Sequence, residues 1–426
     1  MARARRSAPL SLTDAATQLV EAVLRLDQPA DAVLSRFFRQ QRRFGPRERT
    51  LLADAVYAVL RRKIEFEHRA ADGPGALPRR LALLGLEAAQ ARSLPGLSEA
   101  EQSWLDIACG IEHRQLPDAA IHNLPPWLAT RLQQQLGAEF EALAQALLQT
   151  APLDLRVDHW REKRDAVQQE LQTEGIESQP TPYSPWGLRV DGKPALQGTA
   201  PWQRGAIEVQ DEGSQLLAVL LDARRGEMVA DFCAGAGGKS LALATAMRNT
   251  GRLYALDVAA HRLQALGPRL QRSGLDNIHT MAIAPSQDER LKRLAGKLDR
   301  VLVDAPCSGL GTLRRSPELK WRHQPETVQE MAAQQQAILT RAARLLKPGG
   351  RLVYATCSLL HEENEAVAQA FGSAQTAFEA QDVVEVLQQL KLPQAASLCS
   401  SDGRYLRLWP HRHGTDGFFA AVWQRR

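Results

Sequence analysis

The spacing of apolar residues changes character twice along the chain. In the first third they recur three and four positions apart, as in Ala15, Leu19, Ala22, Val23 and Leu26. That spacing marks helices with one buried face. It predicts helices over residues 11–26, 31–38, 46–59, 79–91, 99–109 and 126–149, with Gly45-Pro46 as a break and the proline suited to a first helical turn. Residues 1–148 therefore read as an all-α domain. Residues 149–207 differ: a strand-like run at 153–157, a polar helix at 161–174 closed by Gly175, and a short strand at 188–190 describe a small α+β module. From 208 to 426, short apolar runs at 226–232, 252–256, 277–283, 299–303 and 351–355 alternate with helical patterns at 240–247, 261–273 and 327–346. Such alternation implies a parallel sheet, hence an α/β fold. Residues 417–423 add a late strand, and Lys347-Pro-Gly-Gly350 reads as the stop of the long helix before the fifth run.

Charge and cysteine usage narrow the setting. The 426-residue chain has a net charge of +5. Residues 1–70 hold 14 Lys/Arg against 8 Asp/Glu, and the remainder is close to balanced at 39 against 40. The excess is either a solvated helical face or a phosphate-binding surface. No run approaches the twenty apolar residues of a membrane span. Residues 1–6 are basic but lack the apolar core of a signal peptide. The five cysteines (Cys109, Cys233, Cys307, Cys357 and Cys399) form no CxxC pair. This argues against zinc and fits a reduced, cytoplasmic setting. Cys109 lies among apolar residues and reads as core. Trp160, Trp186 and Trp202 read as packing in preference to base stacking.

Candidate chemistry gathers at the carboxyl ends of the predicted strands, where ligands collect in parallel α/β sheets. The run Val301-Leu-Val-Asp304-Ala-Pro-Cys307-Ser-Gly ends in an acid and a thiol, and Leu352-Val-Tyr-Ala-Thr-Cys357-Ser ends in a second thiol. Earlier, Cys233-Ala-Gly-Ala-Gly-Gly-Lys239 makes a glycine-rich turn between a strand and a helix. Glycines let a ligand approach the backbone, and the helix start offers free N–H groups. The dinucleotide pattern lacks its third glycine, because Lys239 and Ser240 follow Gly238. The phosphate-loop pattern fails because Cys233 stands where its first glycine belongs. A nucleoside ligand without strong phosphate demand remains, and S-adenosylmethionine fits. Asp257, ending the second strand, suits ribose hydroxyls.

Two strand-end thiols beside a methyl donor suggest a particular reaction. Carbon 5 of a pyrimidine is a poor nucleophile. A thiolate adding to carbon 6 pushes electron density onto carbon 5, which can then take a methyl group. An acid such as Asp304 can hydrogen-bond the base edge as charge develops. Spacing leaves open which cysteine attacks.

The motifs Asp304-Ala-Pro-Cys307-Ser-Gly, Thr356-Cys357-Ser and Cys233–Lys239 resemble the signatures of the RsmB/Nop/Sun family of RNA cytosine-5 methyltransferases. Arg314-Arg-Ser-Pro-Glu-Leu-Lys-Trp321, Val209-Gln-Asp-Glu-Gly-Ser214 and Asp416-Gly-Phe-Phe419 are similar too, so the resemblance covers residues 153–426. It implies a Rossmann-like, S-adenosylmethionine-dependent methyltransferase domain over 208–426. It also implies Cys357 as nucleophile and Cys307 as the group that assists release of methylated RNA. Cys233, Ala234, Gly235, Ala236, Gly237, Gly238, Lys239, Asp257 and Asp304 would contact the methyl donor. Residues 1–148 resemble, through 47–63, the NusB-like helical domain of the RsmB branch, which implies a ribosomal RNA substrate.

The expected protein is a cytoplasmic monomer that methylates RNA and uses no metal. Transfer RNA as substrate, or a ribosome-assembly role with dispensable methylation, are the alternatives. Arg314 and Arg315 are expected near the site as phosphate contacts, and the target base must leave any helix to reach the thiol. Two departures stand out. Ala236 replaces a proline common in the family, which should loosen the turn, and Ala284-Pro285 follow the third strand where the family tends to place an acid. The nearest acid is Asp288.

Overall fold

The computed structural model describes residues 10–91, 94, 96–286 and 288–426, so the basic start at 1–6 lies outside the described residues. The chain divides into two compact units, one of Met1–Gln149 with Leu313–Gln324 and the other of Thr150–Thr312 with Pro325–Arg426. Among the described residues no helix is long and apolar enough to cross a membrane.

The first unit is helical. Its main helices, Leu12–Val23, Ala30–Gln40, Pro46–Arg61 and Leu77–Ala88, turn their apolar stripes inward. Leu19, Val20, Leu52, Val56, Leu60, Leu81 and Leu83 are fully buried. Ser11 caps the first helix by accepting from Asp14 N at 3.0 Å, and Ser98 and Glu101 form a reciprocal box at the start of Glu99–Gly110. The predicted helix over 126–149 is two, Pro126–Leu136 and Phe140–Leu147, because Gly137 at positive φ ends the first. Cys109 is exposed and not core. Leu105 and Ala108 take the buried face of Glu99–Gly110, which leaves Ile107 and Cys109 turned outward.

Leu313–Gln324, though late in sequence, completes this core. The Trp321 ring packs against it, and its indole N–H donates to Leu60 O at 2.7 Å. Lys320, 2% exposed, donates to Arg61 O at 2.8 Å, and Glu318 accepts from Ala30 N at 3.2 Å. Burial first, then the Arg61 charge, pushes the Lys320 ammonium well below its ordinary pKa. Arg314 is buried here as well, and its carbonyl accepts from Arg61 at 2.9 Å. The expectation of a surface phosphate contact fails for Arg314 because its side chain is packed away from solvent.

The second unit holds two sheets. β1 (Leu153–Val157), β2 (Ser178–Pro180), β3 (Gly187–Val190) and β4 (Ile207–Val209) form an antiparallel sheet in the order β2-β3-β1-β4. The larger sheet comprises β5 (Met228–Asp231), β6 (Arg252–Asp257), β7 (Ile278–Ala282), β8 (Leu298–Asp304), β9 (Leu346–Thr356), β10 (Phe378–Gln381), β11 (Leu406–Leu408) and β12 (Phe418–Arg425). Its path is β10-β12-β9-β8-β5-β6-β7, with β11 on β12. β5 to β9 pair in parallel, and β12 runs antiparallel to β9. Central parallel strands are covered on both faces, hence their unbroken Val and Leu runs. Along β8, Leu302 faces one apolar core while Val301 and Val303 face the other, as the two-residue pleat requires.

The helix Pro325–Ala343 ends before the predicted stop. Lys347-Pro-Gly-Gly350 forms the irregular start of β9, where the register with β8 shifts between Leu298 and Arg300. Successive strands fill the sheet to one side of β5 and then, from β8, to the other. The order therefore reverses between β5 and β8, and the crevice outside their carboxyl ends is where this architecture binds ligands.

Trp321→Ala should destabilise the first unit by about 3 kcal/mol, since it deletes a large packed ring and an indole hydrogen bond. Chemical denaturation followed by hydrogen exchange in Leu12–Val23 and Pro46–Arg61 checks this. Unchanged protection there would show that the ring contributes nothing to that core.

Candidate active site

Each chemical group sits at the carboxyl end of a parallel strand because the register puts it there. β5 ends at Asp231 and leads into the glycine turn. Gly237 adopts φ +80°, and a Cβ there would lie 2.2 Å from Leu266 Cδ1, so only glycine satisfies both backbone and packing. The helix Gly238–Ala246 starts immediately after, with its N-terminal N–H groups toward the crevice. Arg269 steadies the turn: it donates to Ala236 O at 2.6 Å and pairs with Glu208 of β4 at 2.9 Å. Thus an arginine fixes the turn at the residue where a proline was expected to be missed.

Asp257 ends β6. Its carboxylate accepts from Gly235 N at 2.8 Å and Ala259 N at 2.7 Å, and each oxygen keeps a lone pair for a ligand hydroxyl. Asp304 ends β8 and pairs with Lys239 Nζ at 2.7 Å. Burial alone would lower the Lys239 pKa, but the Asp304 charge outweighs it and raises it, so the pair stays ionised. Beneath the turn, Asp231 is 1% exposed and accepts from Ser240 Oγ at 2.7 Å. Burial pushes its carboxyl up to about 7, against the Ser240 hydrogen bond.

The two predicted thiols meet. Cys307 Sγ and Cys357 Sγ are 3.4 Å apart. The hydrogen bond to Cys357, followed by burial, holds the Cys307 thiol well above its ordinary pKa. Cys233 is also pushed up, by burial and then by Asp231, and stays a thiol.

Glu363, fully buried, holds the two cysteine loops together, and sequence reasoning missed it. Its carboxylate accepts from Ser308 N at 2.8 Å, from Gln335 Nε2 at 3.0 Å, and from the hydroxyls of both Ser308 and Ser358. Those serines immediately follow Cys307 and Cys357. Asn364 adds a bond to Ser358 O at 3.0 Å. The sole sequence signal was an acidic run, His361-Glu-Glu-Asn-Glu365, which reads as a solvated turn. Gly311 closes the far side: its N–H donates to Cys357 O and its carbonyl accepts from Gly417 N, both at 2.8 Å. A Cβ on Gly311 would lie 2.1 Å from Gly417 O. Asp211 accepts from Asp416 N at 3.1 Å, so the motifs at 209–214 and 416–419 meet behind this loop.

One cavity of about 1250 Å³ joins these groups. Cys233, Ala234, Gly235, Ala236, Gly238, Lys239, Asp257, Asp304, Cys307 and Cys357 all line it, and of the predicted residues Gly237 alone does not. Its remaining wall includes Val258, Ile283 and Ile338, and a buried Arg341 Nη2 has no hydrogen-bond partner among the described residues.

An apolar slot, a carboxylate at ribose height and a helix N-terminus without a phosphate loop suit an adenosine that carries a sulfonium side chain. With the strand-order reversal, they define an S-adenosylmethionine-dependent methyltransferase of Rossmann-like fold. The chain belongs to the RsmB/F family. Residues 218–424 match the family described as "16S rRNA methyltransferase RsmB/F", and residues 124–197 match its "ferredoxin-like domain". It is 31% identical over 451 residues to "Probable ribosomal RNA small subunit methyltransferase B" of Synechocystis sp., covering 97% of this chain and 99% of that one. The crystal structure of PH0851 superposes with a TM-score of 0.80 at 25% identity, covering 98% and 99% of the two chains. A methyltransferase homologue from Pyrococcus horikoshii, 28% identical, covers 74% of this chain and all of its own with a TM-score of 0.61.

Two outcomes follow from this geometry. The Asp231 proton stays on in the folded protein to about pH 7 but leaves the unfolded chain near 3.8, so its contribution to stability falls as pH rises through that window. Asp231→Asn should therefore melt above wild type at pH 8, by up to on the order of 4 kcal/mol, with the gap closing toward pH 4. A gap independent of pH would show that the carboxyl titrates normally. Glu363→Ala leaves four buried donors without their acceptor and should cost about 3 kcal/mol or more in denaturant unfolding. In that variant S-adenosylhomocysteine should bind within about threefold of wild type, while turnover falls at least ~10-fold as the thiols lose their alignment. Equal losses in binding and turnover would make Glu363 a general structural residue.

Proposed function

We propose that this protein methylates carbon 5 of cytosine in RNA, most simply small-subunit ribosomal RNA, through a covalent bond to Cys357. The observation that carries this reading is the pair of sulfurs 3.4 Å apart at the mouth of a nucleoside-binding cavity. The relative in Synechocystis is named for ribosomal RNA, and the basic excess within residues 1–70 suits a phosphate backbone. S-adenosylmethionine, when bound, supplies an electrophilic methyl group.

The chain's own residues divide the rest of the work. Cys357, close enough to the Lys239 ammonium to interact with it, adds as thiolate to carbon 6 of the ring and makes carbon 5 nucleophilic. Asp304, anchored by Lys239, hydrogen-bonds the base edge as charge moves onto the ring. The largest influence that keeps Cys307 protonated is its hydrogen bond with Cys357. Once Cys357 is bonded to carbon, that partner is lost and Cys307 can ionise. Its thiolate then takes the proton from carbon 5, the carbon 6–sulfur bond breaks, and the Cys357 thiolate is restored. The net product is methylated base and one proton. Glu363 keeps the second sulfur within reach of the first throughout.

Cys307→Ala should accumulate an RNA–protein adduct that survives denaturing gels when methyl donor is present, because elimination stalls. Cys357→Ala should form none and should lose turnover by more than about 10³-fold. Adduct from Cys357→Ala and none from Cys307→Ala would reverse the two roles. Small-subunit RNA and transfer RNA run in parallel, with bisulfite sequencing of the product, identify the substrate.

A further inference from the structure

The adenine end of the cavity lacks the carboxylate that a purine amino group would ordinarily meet. Beyond β7 the chain runs Ile283-Ala284-Pro285, and the nearest acid is already committed. Asp288 accepts from Ala284 N at 3.1 Å and pairs with Arg290 at 2.7 Å. The carbonyls of Ala284 and Pro285 are committed too, accepting from Arg341 Nη1 at 2.8 and 2.9 Å. Val258, Ile283, Pro285 and Ile338 give the slot apolar walls, and Val258 is 57% exposed there, an apolar surface awaiting a flat partner.

Against those walls, Arg341 Nη2 is buried, lines the cavity and has no hydrogen-bond partner among the described residues. A guanidinium N–H shut away from water is costly unless it meets an acceptor. Two carbonyls fix Nη1, so the planar fork also fixes where Nη2 points. Adenine presents three ring-nitrogen acceptors on its edges, and a donor suits any of them.

We infer that Arg341 recognises the adenine of the methyl donor by donating from Nη2 to one ring nitrogen, while its Nη1 holds the Ala284–Pro285 turn against the slot. This chain reads the purine with a donor where an acid would use an acceptor. The inference rests on S-adenosylmethionine as the donor and adds the residue that selects its base.

Calorimetric titration of the full chain with S-adenosylhomocysteine and its 1-deaza, 3-deaza and 7-deaza analogues tests it. Wild type should lose about tenfold in affinity to one of the three analogues, the one missing the bonded nitrogen. Arg341→Met should lose about the same factor for S-adenosylhomocysteine and nothing more for that analogue. Arg341→Gln, which keeps an amide donor for the two carbonyls, serves if the methionine variant does not fold, with the same pattern expected. Equal binding of all four ligands by wild type would overturn the inference. So would a variant that still discriminates against the same analogue tenfold, because the arginine would then act only on the turn. Wild-type protein that binds none of the four would sink the donor assignment itself.

Discussion

The grip of one buried carboxylate on two loops underlies the arrangement of the reactive centre. Two thiols at the ends of neighbouring strands do not face each other by default, since the chain leaves β8 and β9 in loops of different length and sequence. Glu363 resolves this by accepting from both serines that follow the cysteines. A carboxylate inside a protein is tolerated only when its lone pairs are filled. Here the groups that fill them are the ones that need alignment. The requirement that buried charge be satisfied thus becomes a constraint on sulfur–sulfur distance. Gly311, wedged between Cys357 O and Gly417 O, supplies the opposing wall.

The same economy appears at the glycine turn. Burying Glu208 of β4 requires cations, and Arg269 answers it while reaching Ala236 O. The small antiparallel sheet therefore contributes to the cofactor site from behind, through one ion pair. Asp304 and Lys239 repeat the pattern at the cavity floor. In each case charge neutralisation and geometry are set by one contact, so few residues near the site serve packing alone.

Much of this was legible in the chain itself. Apolar periodicity separated helical from strand–helix stretches, and the strand-end positions of Asp257, Asp304, Cys307 and Cys357 follow from where those runs stop. The glycine turn could be read because glycine at Gly237 answers a backbone demand visible in sequence. What escaped reading depends on distant partners. Glu363 looked like one more acid in an exposed run, since nothing local says that two serines fifty residues apart will converge on it. Arg341 looked like the polar side of a long helix. Cys109 was misjudged because several phases fit a short helix, and Leu105 with Ala108 set the buried one. Arg314 was misjudged because its segment leaves the fold of its sequence neighbours.

That departure carries a consequence for how the polypeptide matures on the ribosome. The leading helices lack Trp321, Lys320 and Glu318 until more than three hundred residues have been synthesised, because the segment Leu313–Gln324 belongs to their core. Vectorial folding, in which the front of a chain sets before the rear emerges, is thereby interrupted. The front end must wait, incomplete, while the antiparallel sheet and the first strands of the larger one are made. A nascent chain stalled before codon 313 would hold an open helical bundle, whereas one stalled beyond 324 would hold a closed one.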